Sequence, residues 1–445
     1  MRRVSLPWML AYSAARIGVG VHDMFFNAVA GFYLASYGLP NVAIGFLANE
    51  RSFLGSLLQP VAGAVSDRIR TPIGRRKPFL LLIALVVPGF LLLMGRSETW
   101  FMVIIFILGP VFLSLAVVAY EVLLPDCVVP DQRGTANGVA RALGFAGAIG
   151  LVLFAFLFWQ THPWAVFLLV AAALALGFLV TGLLVREPPA LADSLRPEAT
   201  GSVGRGLVPR RPHGRPPGDS ELRTQNSEHD SRPTTQDSGP FSYVRGLLQY
   251  RAASRYVASY FLYWAGIGGV TPFITRFGHE ELGIPQNETF LLMVAVLVTT
   301  FIAAAPAGWL GDRLGKKPVM SWGVLAFGLL ILAGSQVQTK EQALVVLALA
   351  GLAQAVPTVL AYPLFTELVP GRRMGELSGL SSMVWSLAQP LGATAFGALA
   401  DVTGTLRSVL LGGGLALLAS WLVLQTVRTA PIASVGPPQR AGRDV

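Results

Sequence analysis

Gly63-Ala64-Val65-Ser66-Asp67-Arg68 closes one apolar block of this chain, and Gly308-Trp309-Leu310-Gly311-Asp312-Arg313 closes another. Each is followed by a glycine and a cationic cluster, Gly74-Arg75-Arg76-Lys77-Pro78 in the first case and Gly315-Lys316-Lys317-Pro318 in the second. A second pair recurs in the same order: Asp126, Gly134 and Gly138 match Glu367, Gly375 and Gly379, each 241 positions apart. Two motifs in one order at nearly one spacing read as a duplicated unit.

The blocks between these motifs are apolar over about 20 residues, the length of helix that crosses a hydrocarbon layer about 30 Å thick. The composition agrees, with 53% hydrophobic and 13% charged residues in a chain of 445, against about 25% charged in water-soluble domains. The predicted spans are 8–37, 42–65, 79–95, 101–124, 136–159 and 164–185, then 252–276, 288–310, 319–337, 342–365, 376–400 and 406–428. The expected fold is therefore an all-α membrane protein of twelve transmembrane helices in two pseudosymmetric six-helix bundles. Residues 1–185 form the first bundle and 252–428 the second. Between them, 186–251 carries nine prolines, ten arginines, eight acids and no isoleucine. Such a segment buries too little surface to fold alone and is read as a disordered cytoplasmic linker, like the tail 429–445.

The formal charge of +10 reflects topology, so no nucleic-acid partner is expected. Eleven Arg and Lys residues follow spans 2, 4, 8 and 10, among them Arg68, Arg75, Arg76, Arg133, Arg313 and Lys316, while the opposite loops hold Arg96, Arg276, Lys340 and Arg407. Positive loops stay inside, so both termini are placed in the cytoplasm of a cell whose inner membrane holds the protein. The carboxylates Asp67, Asp126, Asp312, Glu121 and Glu367 stand near these cations at the same helix ends. With Gly63, Gly74, Arg68, Arg75, Arg76, Arg133 and Arg313 they read as ionic latches that hold one arrangement of the two bundles and break in another. A pure topology signal would need no acids.

At these residues the sequence resembles the major facilitator superfamily, whose signature loop lies between helices 2 and 3 and recurs, weaker, between helices 8 and 9. More narrowly, Gln59-Pro60-Val61-Ala62-Gly63 through Arg68, the cluster Arg75-Arg76-Lys77-Pro78-Phe79, and Leu124-Pro125-Asp126 with Pro130-Asp131-Gln132-Arg133-Gly134 are similar to the sucrose-transporter and glycoside–pentoside–hexuronide cation symporter branches. That resemblance implies a sugar or glycoside cargo moved with a proton or a sodium ion.

Ionisable groups inside a span cost at least about 2.5–3.5 kcal/mol on insertion scales, so each asks for a partner, a wet cavity or a function. Span 1 holds Arg16, His22 and Asp23, span 2 Glu50 and Arg51, and span 5 Arg141. Tyr12, Arg16, Asp23 and Asn27 share one face at 100° per residue, and Asp23 falls near the membrane midplane. Asp23 with Arg16, Glu50, Arg51 and Arg141 is the candidate coupling group, since a deep carboxylate changes its proton affinity with solvation and with nearby cations. In the second half, Tyr260, Tyr263 and Trp264 on span 7, Gln354 on span 10, and Trp385 and Gln389 on span 11 offer aromatic faces and hydrogen-bonding groups suited to a sugar or another amphipathic solute.

No Walker loop, metal-ligand cluster or nucleophile elbow occurs in the sequence, so neither an enzyme nor a cofactor is expected. The single cysteine, Cys127, reads as an inert thiol. The expected partners are a small-molecule solute, a proton or sodium ion and the lipid bilayer, with the protein acting as a monomer. Two rivals stay open: an exporter of amphipathic drugs or lipids, and a non-transporting receptor or pigment-delivery protein on the same fold.

Overall fold

A computed structural model describes residues 4–49, 77–81, 91, 99–185, 251–368 and 374–427. Ten of the twelve predicted spans are helical along nearly their whole length. The second is described only over 41–49, and the third only at 77–81 and Leu91. The linker expected at 186–251 and the tail at 429–445 lie outside the described residues, apart from Arg251, which opens a helix.

We label the helices α1 Leu6–Ala28, α2 Ala30–Ser36, α3 41–49, α4 Thr99–Cys127, α5 Pro130–Phe158 and α6 Pro163–Leu184 in the first half. The second half holds α7 Arg251–Val270, α8 Ile274–Glu280, α9 Gln286–Leu314, α10 Lys316–Gly334, α11 Lys340–Leu368, α12 Met374–Thr403 and α13 Arg407–Gln425. Pro130 and Pro163 open their helices at the position where a missing amide hydrogen costs nothing. Among the described residues, seven helices are long and apolar enough to cross a membrane, and the bent pair α1 and α2 adds an eighth. Leu157, Phe301, Ile302, Leu415 and Leu422 are exposed on their surfaces. Such side chains are solvated by lipid in an integral membrane protein.

The internal repeat is visible in the packing. Helix α1 packs on α5 and α6, and its counterpart α7 packs on α12 and α13. Close approach depends on glycine in both copies: a Cβ on Gly20 of α1 would collide with the Gly144 carbonyl of α5, and one on Gly392 of α12 would collide with the Ala265 carbonyl of α7. The leading helix of each half is also broken at a corresponding level. Helix α1 bends by 48° into α2 after Ala28, and α7 gives way after Val270 to a 3-10 turn, Thr271–Phe273, then α8. Pro272 accounts for the second break, because proline removes an amide donor. At the first break, the Ala28 carbonyl accepts the Thr275 hydroxyl of the other half at 2.8 Å.

Candidate functional site: the cavity between the halves

The start of α1 meets the start of α5, where the Val4 amide donates to Gln132 Oε1 at 2.8 Å. In the other half the start of α7 meets the end of α13, where the Arg255 guanidinium reaches the Thr426 carbonyl at 2.9 Å. These ends form the near end of the bundle, next to the chain termini. Among the described residues, the hydrogen bonds that cross between halves lie at the far end or at mid-depth. Asp401 of α12 accepts the Asn41 and Val42 amides that open α3, both at 2.8 Å. Arg276 of α8 donates to Asn41 Oδ1 at 2.5 Å and holds Glu280 at 2.8 Å. Trp159 and Gln160 beyond α5 donate to Gln286 and Asn287 of α9 at 3.2 and 2.7 Å. Deeper in, the Asn49 amide reaches the Gly268 carbonyl at 3.4 Å. Gly45 and Gly397 let α3 and α12 touch, since a Cβ on either would strike backbone of the opposite helix. Among the described residues, these contacts close the far end.

Beneath this seal lies a cavity of about 260 Å³. From the first half, Met24 and Asn27 of α1 and Phe145 of α5 reach it, while the rest of its wall comes from α7, the 3-10 turn, α8, α9, α10, α11 and α13. Asn27, Trp264 and Gln354, all read from the sequence as cavity groups, line it. Asp23 stands one turn before Asn27, whose amide donates to the Asp23 carbonyl at 2.8 Å. The Asp23 carboxylate is 44% exposed and lies 3.4 Å from Nδ1 of the buried His22, whose ring packs on Phe26 at 4.6 Å.

The remaining members of the coupling group are distributed differently. Arg16 faces Glu121 of α4 at 3.9 Å rather than Asp23, two helical turns away. Tyr12, expected on the cavity face, is buried instead in a stack between Trp8 and Tyr120. Arg141 is exposed on α5. Glu50 and Arg51 lie outside the described residues.

The aromatic groups of the second half converge. Tyr260, Tyr263 and Trp385 surround Trp264 edge-on, with ring centroids 6.0, 5.5 and 5.7 Å from it. Trp264 Nε1, Tyr263 Oη and Gln389 Nε2 are buried without a hydrogen-bond partner among the described residues. Of these three, Trp264 lines the cavity, where an unpaired donor is open to a water or a ligand. Gln389 crosses Gly268, where any larger side chain would displace it.

Of the latch residues, Gly63, Asp67, Arg68, Gly74, Arg75 and Arg76 lie outside the described residues, and Asp126 and Arg133 sit on α4 and α5 with side chains outside them. In the second copy, Gly315 alone joins α9 to α10 at φ +92°, a conformation that favours glycine. Glu367 pairs with Lys316 at 2.5 Å. Arg313 instead lays its guanidinium over Trp309, 4.1 Å from the ring centre, and Asp312 makes no ion pair among the described residues. Lys316 was visible as a cation of the motif, but its pairing with Glu367 required the fold. The far-end set of Asp401, Asn41 and Arg276 carried no repeated motif, and only the charge of Asp401 and Arg276 at span ends hinted at it.

Two broken-helix bundles enclosing a cavity between them, in a lipid-solvated shell, define a membrane transporter of small solutes. The sequence profile of the Major Facilitator Superfamily matches residues 9–285 and 256–443, and the chain belongs to that superfamily. It is similar to the uncharacterized MFS-type transporter MJ1317 of Methanocaldococcus jannaschii, 23% identical over 83% of this chain and 78% of the relative. The general alpha-glucoside permease of Schizosaccharomyces pombe is 29% identical over 33% of this chain and 30% of its own length. The crystal structure of the nucleoside transporter NupG superposes with a TM-score of 0.71 at 13% identity, covering 95% of this chain and 100% of that one.

Proposed function

We propose that this transporter is a secondary active carrier that moves a sugar or glycoside by alternating access, driven by a proton or sodium gradient. The observation that carries the coupling is the half-exposed Asp23 carboxylate, in mid-span and one turn from Asn27 on the cavity wall. A carboxylate there gains or loses charge stabilisation as water access alternates, which is what ion coupling requires. The unpaired donor of Trp264 on the cavity wall supports a hydroxylated cargo, as does the partial likeness to an alpha-glucoside permease. The basic turn around Lys316 and Lys317 supports a cytoplasmic near end by the positive-inside rule. In this reading the closed far end is the outer one, the conformation faces inward, and both termini lie in the cytoplasm of a cell whose inner membrane holds the protein.

The test is uptake of labelled methyl glucoside and maltose into proteoliposomes under an imposed pH or sodium gradient. Wild-type protein accumulates solute, whereas Asp23→Asn abolishes accumulation and keeps solute exchange at equal concentrations. Equal accumulation by both proteins would remove Asp23 from coupling, and no accumulation under either gradient would remove the symport reading.

A further inference from the structure

The wall of the cavity is mostly apolar. Trp264 lies two-thirds of the way along α7, Gln354 at the midpoint of α11 and Thr358 one turn nearer the chain termini. Ile274 of α8, Met293 of α9, Ile331 of α10 and Leu347 of α11 lie towards the sealed far end. The far-end side of the wall is therefore mostly apolar, and its polar residues, Asn27 and Thr271, each already donate to a backbone carbonyl. A second recess of about 20 Å³, lined entirely by apolar residues and glycine, continues from the cavity towards that end and shares Val270, Ile274, Ile331 and Leu347 with it.

The hydroxyls that do line the cavity are already used. Thr271 donates to the Ile267 carbonyl at 2.8 Å, Thr300 to the Gly351 carbonyl at 3.0 Å and Thr358 to the Gln354 carbonyl at 2.8 Å. A polyhydroxylated solute pushed into the upper part would lose its water without gaining partners, a penalty of about 1–3 kcal/mol for each unmet group. An alkyl or aryl group would lose nothing and would bury apolar surface.

We propose that this upper bay, inside the second bundle, holds the apolar end of an amphipathic solute, an alkyl or aryl group, while the solute's polar head stays at the level of Trp264 and Gln354. The assignment rests on the transport reading above and narrows its cargo to glycosides with an apolar aglycone. Ala350 and Leu347 border the bay from α11, so they set its free length in opposite senses: Ala350→Leu shortens it and Leu347→Ala lengthens it.

The experiment measures binding of methyl, butyl, hexyl and phenyl glucoside to the full chain in lipid nanodiscs by calorimetry, with empty nanodiscs correcting for partition into lipid. Affinity is expected to rise about fourfold per added methylene until the bay is full, the gain set by burying one CH₂. Ala350→Leu moves that limit to shorter chains and Leu347→Ala to longer ones, so either variant alone suffices if the other does not fold. Affinity independent of chain length in wild type, or a limit unmoved by a folded variant, overturns the bay. A parallel series of alkyl carboxylates and alkylammonium ions separates the two readings. Chain-length dependence in that series without glucoside binding keeps the bay and removes the glycoside cargo. Methyl glucoside binding as tightly as hexyl glucoside does the reverse, and no binding in either series overturns both.

Discussion

Asp401 caps the helix that begins at Asn41, although the two residues belong to different halves of the molecule. One carboxylate oxygen accepts the Asn41 amide and the other the Val42 amide, each at 2.8 Å. The first amides of a helix have no partner within it, and a carboxylate there satisfies them and meets the positive end of the helix dipole. This cap exists only while the far end is shut, so it stabilises one conformation rather than either bundle. Asp401→Ala is expected to weaken the sealed state by about 1–2 kcal/mol, the usual value of a helix cap. Spin labels on opposite halves at the far end would then report a roughly five- to thirtyfold larger open population. An unchanged distance distribution would show that the cap is incidental.

Gly45 and Gly20 separate closure from folding. A Cβ on Gly45 meets the Ala393 carbonyl across the halves, whereas one on Gly20 meets the Gly144 carbonyl inside the first half. Gly45→Val is expected to hold the far end open with little change in melting temperature. Gly20→Val forces apart α1 and α5 in every conformation and should lower thermal stability by about 1–3 kcal/mol, the typical cost of overpacking. Thermal melts combined with far-end labelling distinguish the two, and similar behaviour of both variants would contradict this division.

Thr275 is fully buried and gives its hydroxyl to the Ala28 carbonyl at the break in the first span. Thr275→Val keeps the shape but leaves that carbonyl unmet when the halves are closed, at a cost of about 1–3 kcal/mol. Faster cysteine labelling of residues near the far end of the cavity is the expected result. Thr275→Ser should label like wild type, and a serine variant as open as the valine one would assign the effect to packing instead.

Lys316 and Glu367 form a short pair, but both are partly exposed. Water and salt screen such pairs, so Glu367→Gln is expected to change stability by less than about 1 kcal/mol. A denaturation shift well beyond that, insensitive to salt, would show that the pair is part of a larger latch.

Trp264 reaches the cavity with an indole N–H that has no partner among the described residues. Trp264→Phe retains most of the aromatic surface and removes the donor, so it should weaken solute binding by about five- to tenfold, the value of one hydrogen bond. Trp264→Ala should weaken it further. Equal affinity of the phenylalanine variant and wild type, measured by calorimetry, would mean that the ring contributes by contact alone.

The order of the described spans, the duplication and the turn at Gly315 were legible in the sequence because each depends on neighbours along the chain: apolar length, a repeated motif and a residue that tolerates positive φ. The face of span 1 was only partly legible. Helical periodicity put Asp23, Asn27 and Tyr12 on one face; Asn27 lines the cavity, whereas nothing in the period says that Trp8 and Tyr120 cover Tyr12. Arg16 could have faced Asp23 or Glu121 by charge alone, and the packing of α1 beside α4 chose Glu121. The cap that Asp401 supplies to Asn41, 360 positions away, and the mostly apolar wall of the cavity belong wholly to the tertiary structure. Both arise where helices from separate parts of the chain cross, and a linear pattern carries no record of which side chains meet at a crossing.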